Sequence, residues 1–395
     1  MSEAFTDLGV FENGTLRLLP SIHPLPSLLS MEPKAVLEGF RDSQRDDFLR
    51  VIRDMEPSHS SLGQLFAGLR GQARDESLLY PAALEALFLD LHDHVMSHPV
   101  WRHPFFLRVF AGDIDRTQVE RFLLHYFNQI KNTRQCVALT IGRFNSLMEM
   151  PLGTINERVS EITQIALAQL VADEYGVTTH AIESYPELGH LLRAHTHIAM
   201  YRQLLDGLGI AREAQDVPML PEVADNVLTQ RLLAGHPAFT PLEALASTGL
   251  GMEWGVPEFF SLLLGGLIRF AVRENLALGR HELEVFIEHV RYDVLHAISV
   301  MLVTALHMHG TDDLAAVKGA CNTLMASRFA MMSGIHSAVY GEPCASLEDM
   351  GLEGRYRLRD RRIALALVEA RRSVGGGVAD AYLYRSRSGT PFPFA

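Results

Sequence analysis

The stretch Glu288-His289-Val290-Arg291-Tyr292-Asp293-Val294-Leu295-His296 decides how the chain reads, because three of its side chains are spaced for one helical face. His289, Asp293 and His296 stand at i, i+4 and i+7, which at 3.6 residues per turn confines them to an arc of roughly 60°. Val285 and Phe286 before it, and Val300 and Val303 after it, continue that face as apolar, so the arc points into a core. Two imidazoles and a carboxylate buried without partners are costly, and a metal ion is one way to offset the cost. A second way needs no metal: buried histidine and aspartate can satisfy each other.

Working outward, almost no stretch alternates with period two, whereas apolar residues recur at helical spacing through most of the chain. The expected class is all-α, and 48% hydrophobic residues over 395 positions suffice for a large core. Three parts are expected: residues 1–80, broken by Pro20, Pro24, Pro26, Pro33 and Pro57, as an extension laid on the core; 81–345 as the main helical body; and 346–395 as a C-terminal helix and tail. In the first part, 33–55 reads as one or two helices. In the body, helices are expected over 81–98, 103–110, 115–150 with Asp115 as N-cap, 156–176 closed by Gly176, 197–209, 241–254, 256–272, 281–309 and 313–339. The stretch 177–192, broken by Pro186 and Gly189, reads as a loop. A last helix over 359–372 precedes Gly375-Gly376-Gly377, a joint rather than a phosphate loop because no strand leads into it.

A net charge of -12 with no lysine or arginine block argues against nucleic acid or an anionic membrane as partner, and leaves a small molecule or another protein. Cys136, Cys321 and Cys344 are odd in number and far apart, so no disulfide framework is expected. With no apolar core at the N-terminus and no run long enough to span a bilayer, the expected location is the cytoplasm.

A metal site on bundle helices draws acids from more than one helix. Glu174 ends its helix on the side of Ala166, Leu167, Leu170 and Val171, and Glu253 is a lone acid in the mostly apolar GLGMEWGVPEFF. His197 opens the next helix after Glu174. Together with His289, Asp293 and His296 these make three carboxylates and three imidazoles, a donor set that suits iron or manganese better than structural zinc, and enough for two ions. Each has a plainer role open to it: Glu174 at a solvated helix end, Glu253 on a backbone amide, His197 as a helix-start residue.

Three motifs carry a resemblance to a known family. LVADEYG (170–176) is followed by HIAMYRQLLDGLG (197–209); Glu253 lies in a small-residue segment before VPEFFSLLLGGL; and His289, Asp293 and His296 form H-x3-D-x2-H. In this order they resemble the heme-oxygenase-like diiron oxidases and oxygenases, over roughly residues 80–340. The resemblance implies a heme-oxygenase-like helical bundle, with helical extensions at both ends, that binds two Fe(II) ions on these six residues. It further implies O2 as co-substrate and an external reductant or electron-donor partner. One departure stands out. Glu174 and His197 are 23 positions apart, farther than the family's acid and histidine. Either a loop is inserted, or His180 replaces His197, or Glu187 replaces Glu174; Asp173 is a further alternate ligand. The sequence after His197 and the helix before Glu174 favour the first choice.

The first-ranked activity is oxygenation of a small amine or amino acid, for example at nitrogen. Oxidative C–C cleavage or desaturation of an amino or fatty acid comes second, and a metal-free helical binding or scaffold protein is the competitor from another class. Tyr126, Gln129, Asn132, Trp254 and Arg328 are the candidate pocket residues, each also able to serve as an interhelical contact. The two extensions leave a homodimer face or a pocket lid open.

Overall fold

In a computed structural model the described residues are 11–12, 15–16, 30–55, 61–144, 157–176, 195–344, 347 and 360–373. They form an all-α bundle, apart from a two-residue hairpin in which Phe11 pairs with Leu16 antiparallel. The helices are α1 Pro33–Asp54, α2 Ser61–Leu69, α3 Pro81–Met96, α4 Pro104–Phe110, α5 Arg116–Arg143, α6 Glu157–Glu174 and α7 His197–Gly207. After these come α8 Pro221–Gly235, α9 Pro241–Leu245, α10 Val256–Arg273, α11 Arg280–His307, α12 Gly310–Tyr340 and α13 Arg361–Ser373.

Local chemistry explains several boundaries. Asp115 caps α5 as expected, accepting from the Gln118 amide at 2.8 Å while the Gln118 side chain accepts from the Asp115 amide at 2.9 Å. Thr240 and Glu243 form the same reciprocal pair at the start of α9. Proline at the first turn of α1, α3, α4, α8, α9 and α10 costs no hydrogen bond there.

The helix α8 goes beyond the sequence reading, which assigns no element to 210–240. It lies between α5 and α12 and is buried on nearly every side, so it lacks the apolar stripe that marks a surface helix. Its polar residues are paired inward instead. Gln230 accepts from Gln129 at 3.0 Å and from Asn132 at 2.8 Å, Asn226 donates to Gln129 at 2.8 Å, and Arg231 donates to Asn132 at 2.7 Å.

In the N-terminal part, the described residues 30–55 pack on the body. Val36, Phe48 and Ile52 of α1 are buried where it packs against α3 and α10, as is Met55 just past its end, and the Phe48 and Phe88 rings stack at 3.6 Å. At the other end, α13 packs on α8, and its Arg362 bonds to Glu243 of α9 at 2.5 Å and to Asp360, just before α13, at 2.8 Å. No helix among the described residues is long and apolar enough to cross a membrane.

Candidate metal centre

Helix α11 runs through the body, packed against α6, α7 and α10, and carries the face first read from its spacing. His289 and Asp293 are buried, His296 lies at the edge of the core, and Leu295 on the opposite side is 63% exposed. The helix therefore sits in the register that the periodicity implies.

Glu174 and His197 reach each other despite their sequence separation because two helix ends abut. Gly176, just past the end of α6, has φ +63°, and a Cβ there would lie 2.3 Å from the His195 carbonyl oxygen, so only glycine allows this approach. Thr196 then caps α7 by accepting from the Ala199 amide at 3.1 Å, which makes His197 the first helical residue. Its Nδ1 lies 3.2 Å from Glu174 Oε1 but has no partner in hydrogen-bonding alignment. The His197 and His289 rings are 4.5 Å apart. On His289, Nδ1 donates to the Val285 carbonyl at 2.6 Å, leaving Nε2 with its lone pair free.

Glu253 is delivered by a different device. The chain leaves α9 through a π-helical turn, Ala246–Gly251. Gly249 packs so closely on α11 that a Cβ would lie 1.8 Å from Val300 Cγ1, and one on Gly251 would lie 2.9 Å from Leu324 Cδ2. The wider turn shifts the helical phase of the residues after it. Glu253 then faces Asp293 and His296: His296 Nδ1 is 3.4 Å from Asp293 Oδ1 and 3.9 Å from Glu253 Oε2.

The result is two triplets, Glu174–His197–His289 and Glu253–Asp293–His296, each with ligand atoms within 4.8 Å of one another. Asp173, the alternate ligand, lies on the other edge of His296, where Nε2 bonds to its Oδ2 at 2.6 Å. It orients the ring and keeps Nδ1 turned toward the triplet. His180 and Glu187, the other alternates, lie outside the described residues.

The electrostatics mark a site short of cations. Burial pushes the Asp293 carboxyl up to about 7, opposed by His296 and reinforced by Glu253. Burial holds His289 down at about 3. On His197 burial acts downward but the Glu174 carboxylate outweighs it, raising the ring to about 9, and His296 is likewise held above its ordinary value against burial by Asp173, Asp293 and Glu253. Glu174 stays below the usual range: burial raises it and His197 more than compensates. Asp293 Oδ2 has no hydrogen-bond partner among the described residues. Unpartnered buried carboxylate oxygen, a free Nε2 and inward-facing Nδ1 atoms together fit a divalent cation in each triplet.

The candidate pocket residues separate into two groups. Gln129 and Asn132 are committed to the α5–α8 network, and Trp254 donates from its indole to His92 Nδ1 at 3.0 Å while stacking on Phe88, so it faces the α1–α3 layer. Tyr126 and Arg328 lie within electrostatic reach of Asp293. Two features of the site were beyond sequence reading, the π-helical turn and the orienting role of Asp173. A run of small residues, Ala246-Ser247-Thr248-Gly249, is the one signal of the first.

These features define an all-α bundle holding two buried acid–imidazole triplets. No protein-family model matches the sequence, and no curated protein matches it. Among solved structures, a TenA homolog from Pseudomonas syringae pv. tomato str. DC3000 is similar at 10% identity and a TM-score of 0.46, over 64% of this chain and 92% of that one.

Proposed function

We propose that this chain is a non-heme diiron oxygenase, with one iron held by Glu174, His197 and His289 and the other by Glu253, Asp293 and His296, acting on a small amine or amino acid. The observation that carries this reading is the meeting of six residues from four separate segments as two compact buried triplets. Three carboxylates with three imidazoles suit iron, and triplets of this size leave coordination positions open. When bound, the two ferrous ions supply electrons and binding positions for O2, and an external reductant restores them.

The chain's own residues do the rest. The Val285 carbonyl and Asp173 each accept from one nitrogen of an imidazole, His289 and His296 respectively, which keeps the ring's other nitrogen aimed inward. Phe260, stacked on His289 at 4.7 Å, and the surrounding core exclude water from the centre. A metal-free binding protein leaves these features unexplained, because Asp293 Oδ2 would then be buried at a cost with nothing to accept from.

Anaerobic titration with Fe(II) followed by exposure to O2 tests the proposal. Saturation at about two irons per chain and a transient visible absorbance on O2 addition are expected. Failure to take up iron, or uptake with no O2-dependent optical change, would exclude it.

A further inference from the structure

Two hydrogen-bond donors beside the second triplet are left without acceptors. Arg328, from the middle of α12, is 5% exposed, yet its only hydrogen bond among the described residues runs from Nη1 to the Met252 carbonyl at 3.2 Å. Its Nε is buried without a partner, and no carboxylate lies within ion-pair distance among the described residues. Tyr126 on α5 is 3% exposed, and no hydrogen bond ties its hydroxyl to another described residue. Met252, whose carbonyl Arg328 holds, directly precedes Glu253; the Phe259 ring is 5.7 Å from the guanidinium; and the Tyr126 ring lies 6.3 Å from Phe260, which stacks on His289, so both groups border the centre, where each also feels the charge of Asp293. A guanidinium offers five donors in a planar fork, so one weak bond leaves most of its capacity unmet in a place where unmet capacity is expensive.

Charge points the same way. Two ferrous ions bring four positive charges against three carboxylates in the triplets, so the loaded centre keeps one in excess. Arg328 adds a second, and among the described residues the half-exposed Asp173 is the one further acid bonded to one of these six residues. A buried surplus of this kind calls for an anion. A planar fork with a phenol beside it matches a monoanionic carboxylate, which accepts two parallel bonds from guanidinium and a third from a hydroxyl.

We infer that Arg328 and Tyr126 form a carboxylate-binding subsite beside the Glu253–Asp293–His296 triplet, so that the substrate is a small carboxylic acid held by its carboxylate with the remainder directed at the metals. The inference rests on the diiron reading. It narrows the substrates to amino acids and other carboxylic acids and sets aside simple amines.

Calorimetric titration of the anaerobic, Fe(II)-loaded full chain with octanoate, L-leucine, octanamide and octylamine tests it, with iron content measured on every sample. Octanoate or leucine is expected to bind at least ~10-fold more tightly than octanamide and octylamine. Arg328→Met should weaken carboxylate binding by ~30-fold or more while two irons are retained, with Arg328→Lys recovering part of the loss. Tyr126→Phe, which removes one oxygen from a folded core, should weaken it several-fold and serves if Arg328→Met fails to fold. Equal binding of octanoate and octanamide, preference for octylamine, or no binding of either carboxylate to iron-loaded protein overturns the subsite while leaving the diiron reading intact. Wild-type protein that takes up no iron overturns the diiron reading instead.

Discussion

Replacing Asp293 by alanine is expected to reduce iron uptake from about two ions per chain to one or fewer, with affinity for the second ion lowered by ~100-fold or more. Loss of a residue that merely orients a ligand costs about 10–100-fold, so loss of the ligand itself should cost at least the upper end. Asp293 is 3% exposed, and the half-exposed acid nearby, Asp173, is held on the far nitrogen of His296 rather than on the triplet side. The same substitution should behave differently without metal. Burial and the Glu253 charge already push the Asp293 carboxyl up to about 7, which means that its ionised form is unfavourable in the folded, metal-free protein. Metal-free Asp293→Ala should therefore be within about 1 kcal/mol of wild type in stability, whereas iron at a hundredfold excess over the Kd of each site should add about 2.7 kcal/mol per occupied site, about 5.4 kcal/mol to wild type and no more than about 2.7 kcal/mol to the variant. Thermal melts with and without Fe(II) separate the two. A variant that is strongly destabilised without metal, and whose iron uptake is unchanged, would make Asp293 a structural residue.

The second large effect is expected at a residue that touches no ligand. Gly249→Ala places a methyl group 1.8 Å from Val300 Cγ1, inside any tolerable contact, in a π-helical turn pressed on α11. Either the turn relaxes toward α-helix or the two elements move apart, at a cost of about 1–3 kcal/mol typical of overpacking. Both outcomes re-phase Met252 and Glu253, so the second iron should be lost even though all six ligand residues remain. Cutting back the neighbour provides the check: because Val300 Cβ itself would lie 2.5 Å from the new methyl, Val300→Gly combined with Gly249→Ala should recover iron and part of the stability. Such recovery is a direct coupling between the two positions. If Gly249→Ala alone binds two irons normally, the turn does not govern Glu253.

These two sites also mark where the chain could be read from sequence and where it could not. The face of α11 was legible because helical geometry alone brings His289, Asp293 and His296 together, and local geometry is what a single sequence encodes most directly. Glu253 was legible through context, as one acid in an apolar run. The register of Glu174 and His197 was only partly legible. Their meeting depends on Gly176 letting the His195 backbone press against the end of α6, a contact between distant residues. The π-helical turn has no periodic signature of its own, since it exists to match Val300 and Leu324 across an interface. Burial hid α8 for a related reason. A helix enclosed on both sides by α5 and α12 shows no polar face, and its Asn226, Gln230 and Arg231 are explained only by their partners on α5. Those same bonds explain why Gln129 and Asn132, legible as buried polar residues, belong to the α5–α8 interface.

Anomalous diffraction at the iron edge, from crystals grown and loaded with Fe(II) without oxygen, addresses the central claim most directly. Two peaks per chain are expected, one in contact with Glu174, His197 and His289 and the other with Glu253, Asp293 and His296. A single peak, or iron seated away from these residues, would contradict a diiron centre in this bundle.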